Sequence, residues 1–302
     1  MRWVVIGSSG YIGSALCRTL VQEGNAVLSV SRRPSAPADC EHRQVEVFDA
    51  DAFAGLFEAG DIVVYAAGLA SSADCRKNPT LAEWLNCDLP VQLLKLADSA
   101  NAAQFLYLSS IKALRAPAGV VATEESGEPA SDPYGGGKWR AEQRLLSSPC
   151  RIRVNILRPA AVYGGSTASA RRAMVWKSHL RAWCQLLPIV PATGYRSVVA
   201  LDDLVSAIVC VAKSGSSGET FIAAEPGFYN LASIGAAASG RCVKNSQSLA
   251  RFALLPFKAL SFLGVKTGLL DVARSELYSS ARLKTRLNWQ PSHRYGRFLG
   301  DE

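Results

Sequence analysis

The chain begins with Met1-Arg-Trp-Val-Val-Ile6, an apolar run that leads directly into Gly7-Ser-Ser-Gly10-Tyr-Ile-Gly13, and a helical pattern follows as far as Glu23. This order predicts a buried strand that enters a helix through a glycine-rich turn. Such a turn lets backbone N–H groups approach a pyrophosphate, whose charge the helix N-terminus then stabilises. Three glycines alone are weak evidence, but their place between a strand and a helix predicts a dinucleotide site. The expected contacts are Gly7, Ser9, Gly10, Tyr11, Ile12 and Gly13.

Strand-like and helix-like patterns alternate through the first half of the chain. The β-rich runs are Ala26–Ser31, Gln44–Val47, Ile62–Ala66, Gln104–Ser109 and Arg153–Leu157, and the amphipathic helical runs are Leu81–Ala100 and Lys138–Leu146. Alternation of this kind predicts an α/β fold of Rossmann type, with a doubly wound parallel sheet covered on both faces. We expect a dinucleotide-binding domain over residues 1–160, to which a segment near 197–223 returns.

The regular alternation ends after Arg158-Pro159. Short helical patterns and a strand near Arg196–Ala200 predict a smaller C-terminal α/β lobe, mainly residues 161–302. We expect this lobe to bind the substrate and to close over the carboxyl edge of the sheet, where ligands bind in open α/β folds.

The composition favours an enzyme that acts on small anionic molecules. The net charge is +8 over 302 residues, without any block of like charges, which does not favour a specific nucleic-acid groove. The eight cysteines include no C-x-x-C pair, which predicts reduced thiols, a cytoplasmic protein and no metal site. The N-terminal apolar run stops at Gly7, so we expect no signal peptide. We expect no transmembrane segment either, because no window of the sequence is long and apolar enough to span a bilayer. For residues 252–270 a contact with a membrane surface and a helix over the substrate cleft both stay open.

The end of the second predicted strand bears on the choice of cofactor. An acidic residue there would repel the 2′-phosphate of NADP(H), whereas this chain has Ser31-Arg32-Arg33. We therefore expect NADP(H) to be preferred over NAD(H), although adjacent arginines are also common in solvated loops. Asp49 is expected to meet the adenine or to cap the next helix. Ala66-Ala67-Gly68 follows the fourth strand and is expected to pass close to the cofactor, or to form a plain turn.

Tyr134 and Lys138 are four positions apart at the start of a predicted helix, so their side chains share one face. A nearby ammonium and the positive helix end both favour a phenolate, which predicts that the Tyr134 pKa falls below its usual value of about 10. Ser109 and Ser110 end the preceding strand, where a hydroxyl can bond a substrate oxygen or cap the backbone.

These motifs resemble those of the extended short-chain dehydrogenases/reductases, in the group of nucleotide-sugar epimerases and dehydratases. The resemblance extends to Leu157-Arg-Pro-Ala-Ala-Val-Tyr-Gly164, to Arg196-Ser-Val-Val-Ala-Leu-Asp-Asp203, and to the ending Ser280-Ala-Arg-Leu-Lys-Thr-Arg-Leu-Asn-Trp-Gln-Pro291. It implies that Tyr134 is the acid/base, that Lys138 holds the nicotinamide ribose, and that Ser110 completes the catalytic set. It also implies that Asn86 supports the site, that Arg196 binds the nucleotide diphosphate, and that the protein forms a homodimer. We expect Ser109 and Pro159 to contact the cofactor as well.

The sequence departs from the family pattern at three positions. Gly137 occupies the place of a common serine, and the asparagine that epimerases place after the sixth strand is replaced in the stretch Arg158-Pro-Ala-Ala161. Ile111-Lys112 replaces the Asp-Glu pair that dehydratases need for proton transfer. Dehydration is therefore disfavoured. The sequence predicts an NADP(H)-dependent reductase of a nucleotide-linked 4-keto (6-deoxy) sugar, with UDP as the expected nucleotide, in surface-polysaccharide precursor synthesis. A nucleotide-sugar 4-epimerase is the alternative, and a non-catalytic NADP-binding sensor is a third possibility.

Overall fold

The computed structural model describes residues 1–45, 50–165, 168–252 and 272–300, and for 168–176 it describes the backbone alone. The strands are β1 Arg2–Ile6, β2 Ala26–Ser31, β3 Glu41–Gln44, β4 Ile62–Tyr65, β5 Gln104–Leu108, β6 Leu114–Arg115, β7 Val121–Ala122, β8 Glu128–Pro129, β9 Arg153–Pro159, β10 Ala161–Tyr163, β11 Ile189–Pro191, β12 Arg196–Ala200, β13 Glu219–Ala223, β14 Phe228–Tyr229, β15 Lys244–Ser246 and β16 Leu277–Tyr278. The helices are α1 Tyr11–Gln22, α2 Ser72–Lys77, α3 Pro79–Glu83, α4 Leu89–Ser99, α5 Pro133–Leu146, α6 Ala168–Leu186, α7 Leu201–Lys213, α8 Leu231–Ser239, α9 Ala281–Leu287 and α10 Tyr295–Gly300.

Seven parallel strands form the central sheet in the order β13-β9-β5-β4-β1-β2-β3. Strand β1 is apolar throughout its buried part because both of its faces are covered. Trp3 and Val5 pack in the cluster that includes α1 and α7, whereas Val4 and Ile6 pack in the cluster that includes α4 and α5. The predicted Rossmann-type α/β sheet is confirmed.

The element boundaries differ from the sequence prediction by more than two residues in three places. Strand β3 is Glu41–Gln44 and therefore begins before the predicted run from Gln44 to Val47. Its polar side chains suit its place at the edge of the sheet. Helix α5 begins at Pro133, five residues before the predicted start.

The predicted helix over Leu81–Ala100 is divided in three. Helix α3 ends at Glu83, a π-helical turn covers Trp84–Asp88, and α4 follows. Tyrosine hydroxyls bond two consecutive carbonyls of this turn. Tyr65 Oη donates to Leu85 O and Tyr107 Oη donates to Asn86 O, each at 2.6 Å. The turn is therefore tied to the sheet strands β4 and β5.

The C-terminal part of the chain returns to helix α7. The Asp203 carboxylate accepts hydrogen bonds from the backbone N–H groups of Ser292 and His293, both at 2.9 Å, and from the Ser292 hydroxyl at 2.8 Å. Strand β13 is the last strand of the central sheet, although residues 160–218 separate it from β9. The division into two lobes at residue 160 stays a prediction. No helix in the described part of the chain is long and apolar enough to cross a membrane.

Candidate active site

The glycine turn lies between β1 and α1 at the carboxyl edge of the sheet. Gly7 has φ +86°, and a Cβ on it would lie 2.6 Å from the Ala67 backbone nitrogen. A Cβ on Gly13 would lie 2.4 Å from Gly7 O. Glycine is therefore required at both positions, because any side chain would push the turn away from β4 or from α1.

The start of helix α1 is suited to an anion. Gly10 is the N-cap residue and offers no side-chain cap, and the first turn carries no acidic residue. The backbone N–H groups at the start of α1 and the positive end of the helix dipole can thus bind a phosphate. Ser9 and Ile12 are partly exposed beside this turn. The Tyr11 hydroxyl donates to Gly164 O at 2.6 Å.

The loop after β2 presents two arginines to solvent. Ser31 is buried and its hydroxyl accepts the Arg33 N–H at 3.1 Å, whereas the Arg32 and Arg33 side chains are exposed. His42 Nε2 lies 2.8 Å from the Arg33 carbonyl, which can only accept, so this ring nitrogen carries the proton. The loop is thereby held to strand β3. Asp49, the other residue expected at the adenine, lies outside the described residues.

Asn86 and the residues after β4 form the side of the site nearest to helix α5. Gly68 adopts φ +144°, and a Cβ on it would lie 2.3 Å from Asn86 Oδ1. Asn86 is buried, and its amide group bonds both the N–H and the carbonyl of Leu69 at 3.1 Å. Asn86 therefore shapes the loop after Ala66-Ala67 through the backbone.

Helix α5 positions the two candidate catalytic side chains. Asp132 caps the helix, and its Oδ1 accepts the N–H of Tyr134 at 3.1 Å and of Gly135 at 3.2 Å. A Cβ on Gly135 would lie 2.2 Å from Lys112 O, and one on Gly136 would lie 2.8 Å from Ala130 O. These glycines thus allow the helix to approach the protein's own backbone closely.

Ser110 and Tyr134 meet at the end of β5. The Ser110 hydroxyl accepts the Lys112 N–H at 3.2 Å, and the Ser110 side chain lies close enough to the Tyr134 phenol to affect its pKa. Burial raises the pKa of Tyr134, and the nearby Ser110 side chain opposes this only in part. The expectation that the protein's own groups lower the Tyr134 pKa is therefore wrong. The desolvation of a partly buried phenol outweighs the helix end, and the Lys138 ammonium is directed elsewhere.

Lys138 is almost completely buried behind Tyr134. Its Nζ donates to Leu108 O at 2.9 Å and lies 4.5 Å from the centre of the Tyr107 ring. Burial lowers the Lys138 pKa from 10.5 to about 8, although the charge of Glu142 acts in the opposite direction. A group with this pKa changes its charge close to neutral pH.

A buried ion pair lies next to these residues, and the sequence reasoning missed its role. Ser109 Oγ donates to Glu142, which also accepts from Arg158 Nε at 2.9 Å. Arg158 in turn donates to Glu124 O at 2.8 Å. The Ser109 hydroxyl is therefore directed at Glu142. The available signal was the spacing, since Glu142 lies one helical turn after Lys138.

Two further predicted residues lie on other strands. Pro159 ends strand β9 and is buried beside Ala223 of β13. Arg196 begins β12, which belongs to a separate three-stranded sheet with β10 and β14. Its guanidinium forms an ion pair with Glu276, and its side chain is partly exposed. The structure therefore brings together Ser110, Tyr134 and Lys138, and places Arg196 on β12 of the separate three-stranded sheet.

Comparisons with known proteins agree with this architecture. The family model described as the NAD dependent epimerase/dehydratase family matches residues 3–231, and the chain belongs to that family. It is thus an NAD(P)-dependent enzyme of the oxidoreductase or epimerase type. The glycine turn, the uncapped start of α1 and the exposed arginines fit such a dinucleotide.

Solved structures with the same fold cover almost the whole chain. The UDP-glucose 4-epimerase of Thermotoga maritima with UDP-glucose is 18% identical, with a TM-score of 0.73, and the match covers 99% of this chain and 96% of that one. DesIV, a dTDP-glucose 4,6-dehydratase from Streptomyces venezuelae with NAD and TYD bound, is 17% identical, with a TM-score of 0.75 and coverages of 99% and 95%. RMD from Pseudomonas aeruginosa complexed with NADPH is 18% identical, with a TM-score of 0.69 and coverages of 99% and 97%.

A curated relative comes from Haloferax volcanii. It is described as a probable low-salt glycan biosynthesis reductase, Agl14, and is 28% identical over 108 residues. The matched stretch covers 35% of this chain and 36% of that protein. This chain therefore aligns with only about a third of the length of that relative.

Proposed function

We propose that the protein is an NADP(H)-dependent reductase of a nucleotide-linked 4-keto (6-deoxy) sugar, with UDP as the favoured nucleotide. The observation that carries the proposal is the placement of Ser110, at the carboxyl end of β5, beside Tyr134 of helix α5, with Lys138 one turn later on the same helix. The partial match to a protein named as a glycan biosynthesis reductase supports reduction. Ile111 and Lys112 leave no acidic pair for dehydration.

The raised Tyr134 pKa fits the role of proton donor. A phenol that is protonated at neutral pH can give its proton to the alkoxide that forms when a carbonyl is reduced. Ser110 would hold the carbonyl oxygen beside Tyr134, and Lys138 would hold the nicotinamide ribose. When bound, the reduced nicotinamide supplies the hydride.

The glycine turn would hold the pyrophosphate of the cofactor, and Arg32 and Arg33 its 2′-phosphate. We assign the substrate diphosphate to Arg196, which would exchange its ion pair with Glu276 for the ligand. Homodimer formation and a cytoplasmic location stay predictions. Sedimentation velocity tests whether the protein forms a homodimer.

Tyr134→Phe tests the proposed chemistry, because it removes the hydroxyl and keeps the ring. We expect kcat for NADPH-dependent reduction of a UDP-linked 4-keto sugar to fall by about 10² to 10⁴, with NADPH binding preserved. Tyr195→Phe, at an exposed position, is the matched control and should leave kcat unchanged. Near-normal turnover in Tyr134→Phe would move the chemistry to another residue.

The alternative, a 4-epimerase, uses the same side chains but returns its hydride to the substrate. The unaltered protein distinguishes the two. A reductase oxidises one NADPH for each 4-keto sugar consumed, whereas an epimerase converts one nucleotide sugar into its 4-epimer without net NADPH oxidation.

A further inference from the structure

Two segments of this chain account for its net positive charge, because they contain basic residues but no acidic ones. Residues 159–201 and 226–270, which we call the basic segments, contain ten lysines and arginines and no aspartate or glutamate. At the acidic content of the whole chain, this combined length would carry about seven acidic residues. The basic segments have a net charge of +10, against +8 for the whole chain, so the remaining residues together carry −2.

The basic segments also carry exposed apolar side chains at the end of helix α6. Trp183 is 53% exposed, Leu186 86% and Leu187 49%. Leu249 and Phe252, which follow strand β15, are exposed as well. Single exposed apolar residues are ordinary, but several together mark an interaction surface.

Local contacts bring basic side chains next to these apolar ones. Arg241 donates a hydrogen bond to the carbonyl of Gln185, which immediately precedes Leu186. The Lys244 N–H donates to Pro188 O at 2.9 Å, where β15 pairs with β11. Both the Arg241 and the Lys244 side chains are exposed. We call Trp183, Leu186, Leu187, Arg241 and Lys244 the α6 patch.

The α6 patch lies far from the glycine turn. Helix α6 has 19 residues and is therefore about 28 Å long. The chain just before α6 contacts the turn, because Gly164 O accepts the Tyr11 hydroxyl. The patch is at the opposite end of the helix, so a cofactor phosphate in the turn does not explain it.

We propose that the α6 patch binds the surface of an anionic lipid bilayer. Trp183 would lie at the level of the headgroups, a position that tryptophan favours, and Leu186 and Leu187 would enter the acyl boundary. Arg241 and Lys244 would contact the lipid phosphates. The basic segments themselves contribute no carboxylate that would repel an anionic surface. A surface of this size predicts reversible binding, and this role is independent of the proposed reaction.

Co-sedimentation of the full chain with vesicles tests the proposal. We expect binding to vesicles of phosphatidylcholine with phosphatidylglycerol, and much weaker binding to phosphatidylcholine alone. Binding should decrease as the salt concentration rises from about 0.05 to about 0.5 M, because salt screens the attraction.

Two sets of substitutions separate the apolar and the charged contributions. Trp183→Ser with Leu186→Ser and Leu187→Ser should raise the lipid concentration at half binding by at least about tenfold. Arg241→Gln and Lys244→Gln should each raise it by about fivefold. The second set keeps the test decisive if the first set impairs folding.

Matched controls come from exposed residues outside the basic segments. Val120→Ser with Val121→Ser controls for lost apolar surface, and Arg18→Gln with Lys95→Gln controls for lost charge. The proposal is overturned if the unaltered protein does not bind the anionic vesicles, or if the control variants lose as much binding as the patch variants. It is also overturned if the serine variant breaks a self-associated form that never binds vesicles, because the patch would then join two copies of the chain.

Discussion

Lys138 places a titratable ammonium in the core directly behind the candidate acid. Burial disfavours the charged form of Lys138, so that its pKa falls to about 8. A shift from 10.5 to about 8 corresponds to roughly 3 kcal/mol by which the native state disfavours the charged form. The charge that would hold the cofactor ribose is thus kept at the expense of native stability.

Lys138→Met should reveal this cost through the pH dependence of its free energy of unfolding. Because the native pKa lies below the unfolded value, the parent gains stability as pH rises from about 8 to 10.5, and below that range it bears the full cost. We expect the free energy of unfolding of the variant, relative to the parent, to be highest at pH 7 and to fall through this range.

Urea unfolding at several pH values measures this difference, with the exposed Lys95→Met as control. A difference that does not change with pH would contradict the buried charge. The same variant should lose NADPH affinity, because the proposed ribose contact disappears.

Arg32 and Arg33 carry the proposed preference for NADP(H). Replacing both with alanine should weaken NADPH binding by about 10- to 100-fold per lost phosphate contact and leave NADH binding almost unchanged. Fluorescence titration with the two cofactors checks this, and Arg18→Ala on helix α1 is the control. Equal weakening of NADPH and NADH, or tighter binding of NADH by the parent, would refute the preference.

At the scale of elements, the glycine turn depends on both backbone conformation and close approach. Gly7 and Gly24 both have positive φ, but only at Gly7 would a Cβ collide with neighbouring backbone. Substitutions at the two glycines separate the need for a positive φ from the need for close approach, because a Cβ on Gly24 would have no neighbouring atom within 4 Å.

Gly7→Ala should therefore abolish dinucleotide binding and destabilise the protein by several times the cost of Gly24→Ala, which we expect to be about 1 kcal/mol. Thermal unfolding and NADPH titration of both variants measure this. Similar stability and binding in the two variants would show that β1 and β4 are not in tight contact at the turn.

The features predicted well from sequence are those that local residues determine. The turn from Gly7 to Gly13, the run Ala26–Ser31 and the spacing of Tyr134 from Lys138 each have a local signal. The π-helical turn has none, because hydroxyls from two distant strands bond its carbonyls. The pairing of Glu142 with Arg158, and the direction of the Tyr134 pKa, likewise depend on burial and on contacts that only the folded chain creates.

At the scale of the whole molecule, Asp203 joins helix α7 to the C-terminal segment. Burial opposes its charge, but the hydrogen bonds from His293 and Ser292 outweigh this and lower the Asp203 pKa. A lowered native pKa stabilises the fold above the unfolded value of about 4, and this contribution disappears as pH falls through the native pKa.

Asp203→Asn should cost about 1.5 to 3 kcal/mol at pH 7, because the amide cannot replace a charged acceptor, and the difference should shrink towards pH 3. Urea unfolding at the two pH values measures it. The exposed neighbour Asp202→Asn should have little effect at either pH. A loss in Asp203→Asn that is equal at pH 7 and pH 3 would exclude the charge as the cause.

The strand order has a consequence for synthesis on the ribosome. Strand β1 emerges first, and each later strand of the central sheet adds beside one that is already present: β2 and β3 on one side, then β4, β5, β9 and β13 on the other. No strand has to insert between two others, so the sheet can grow outward as the nascent chain lengthens. The free edge of β9, however, stays unpaired while residues 160–218 are translated, because its partner β13 begins only at Glu219. During that interval the incomplete enzyme exposes an unpaired strand edge, and this is the stage at which chaperones would protect it from aggregation.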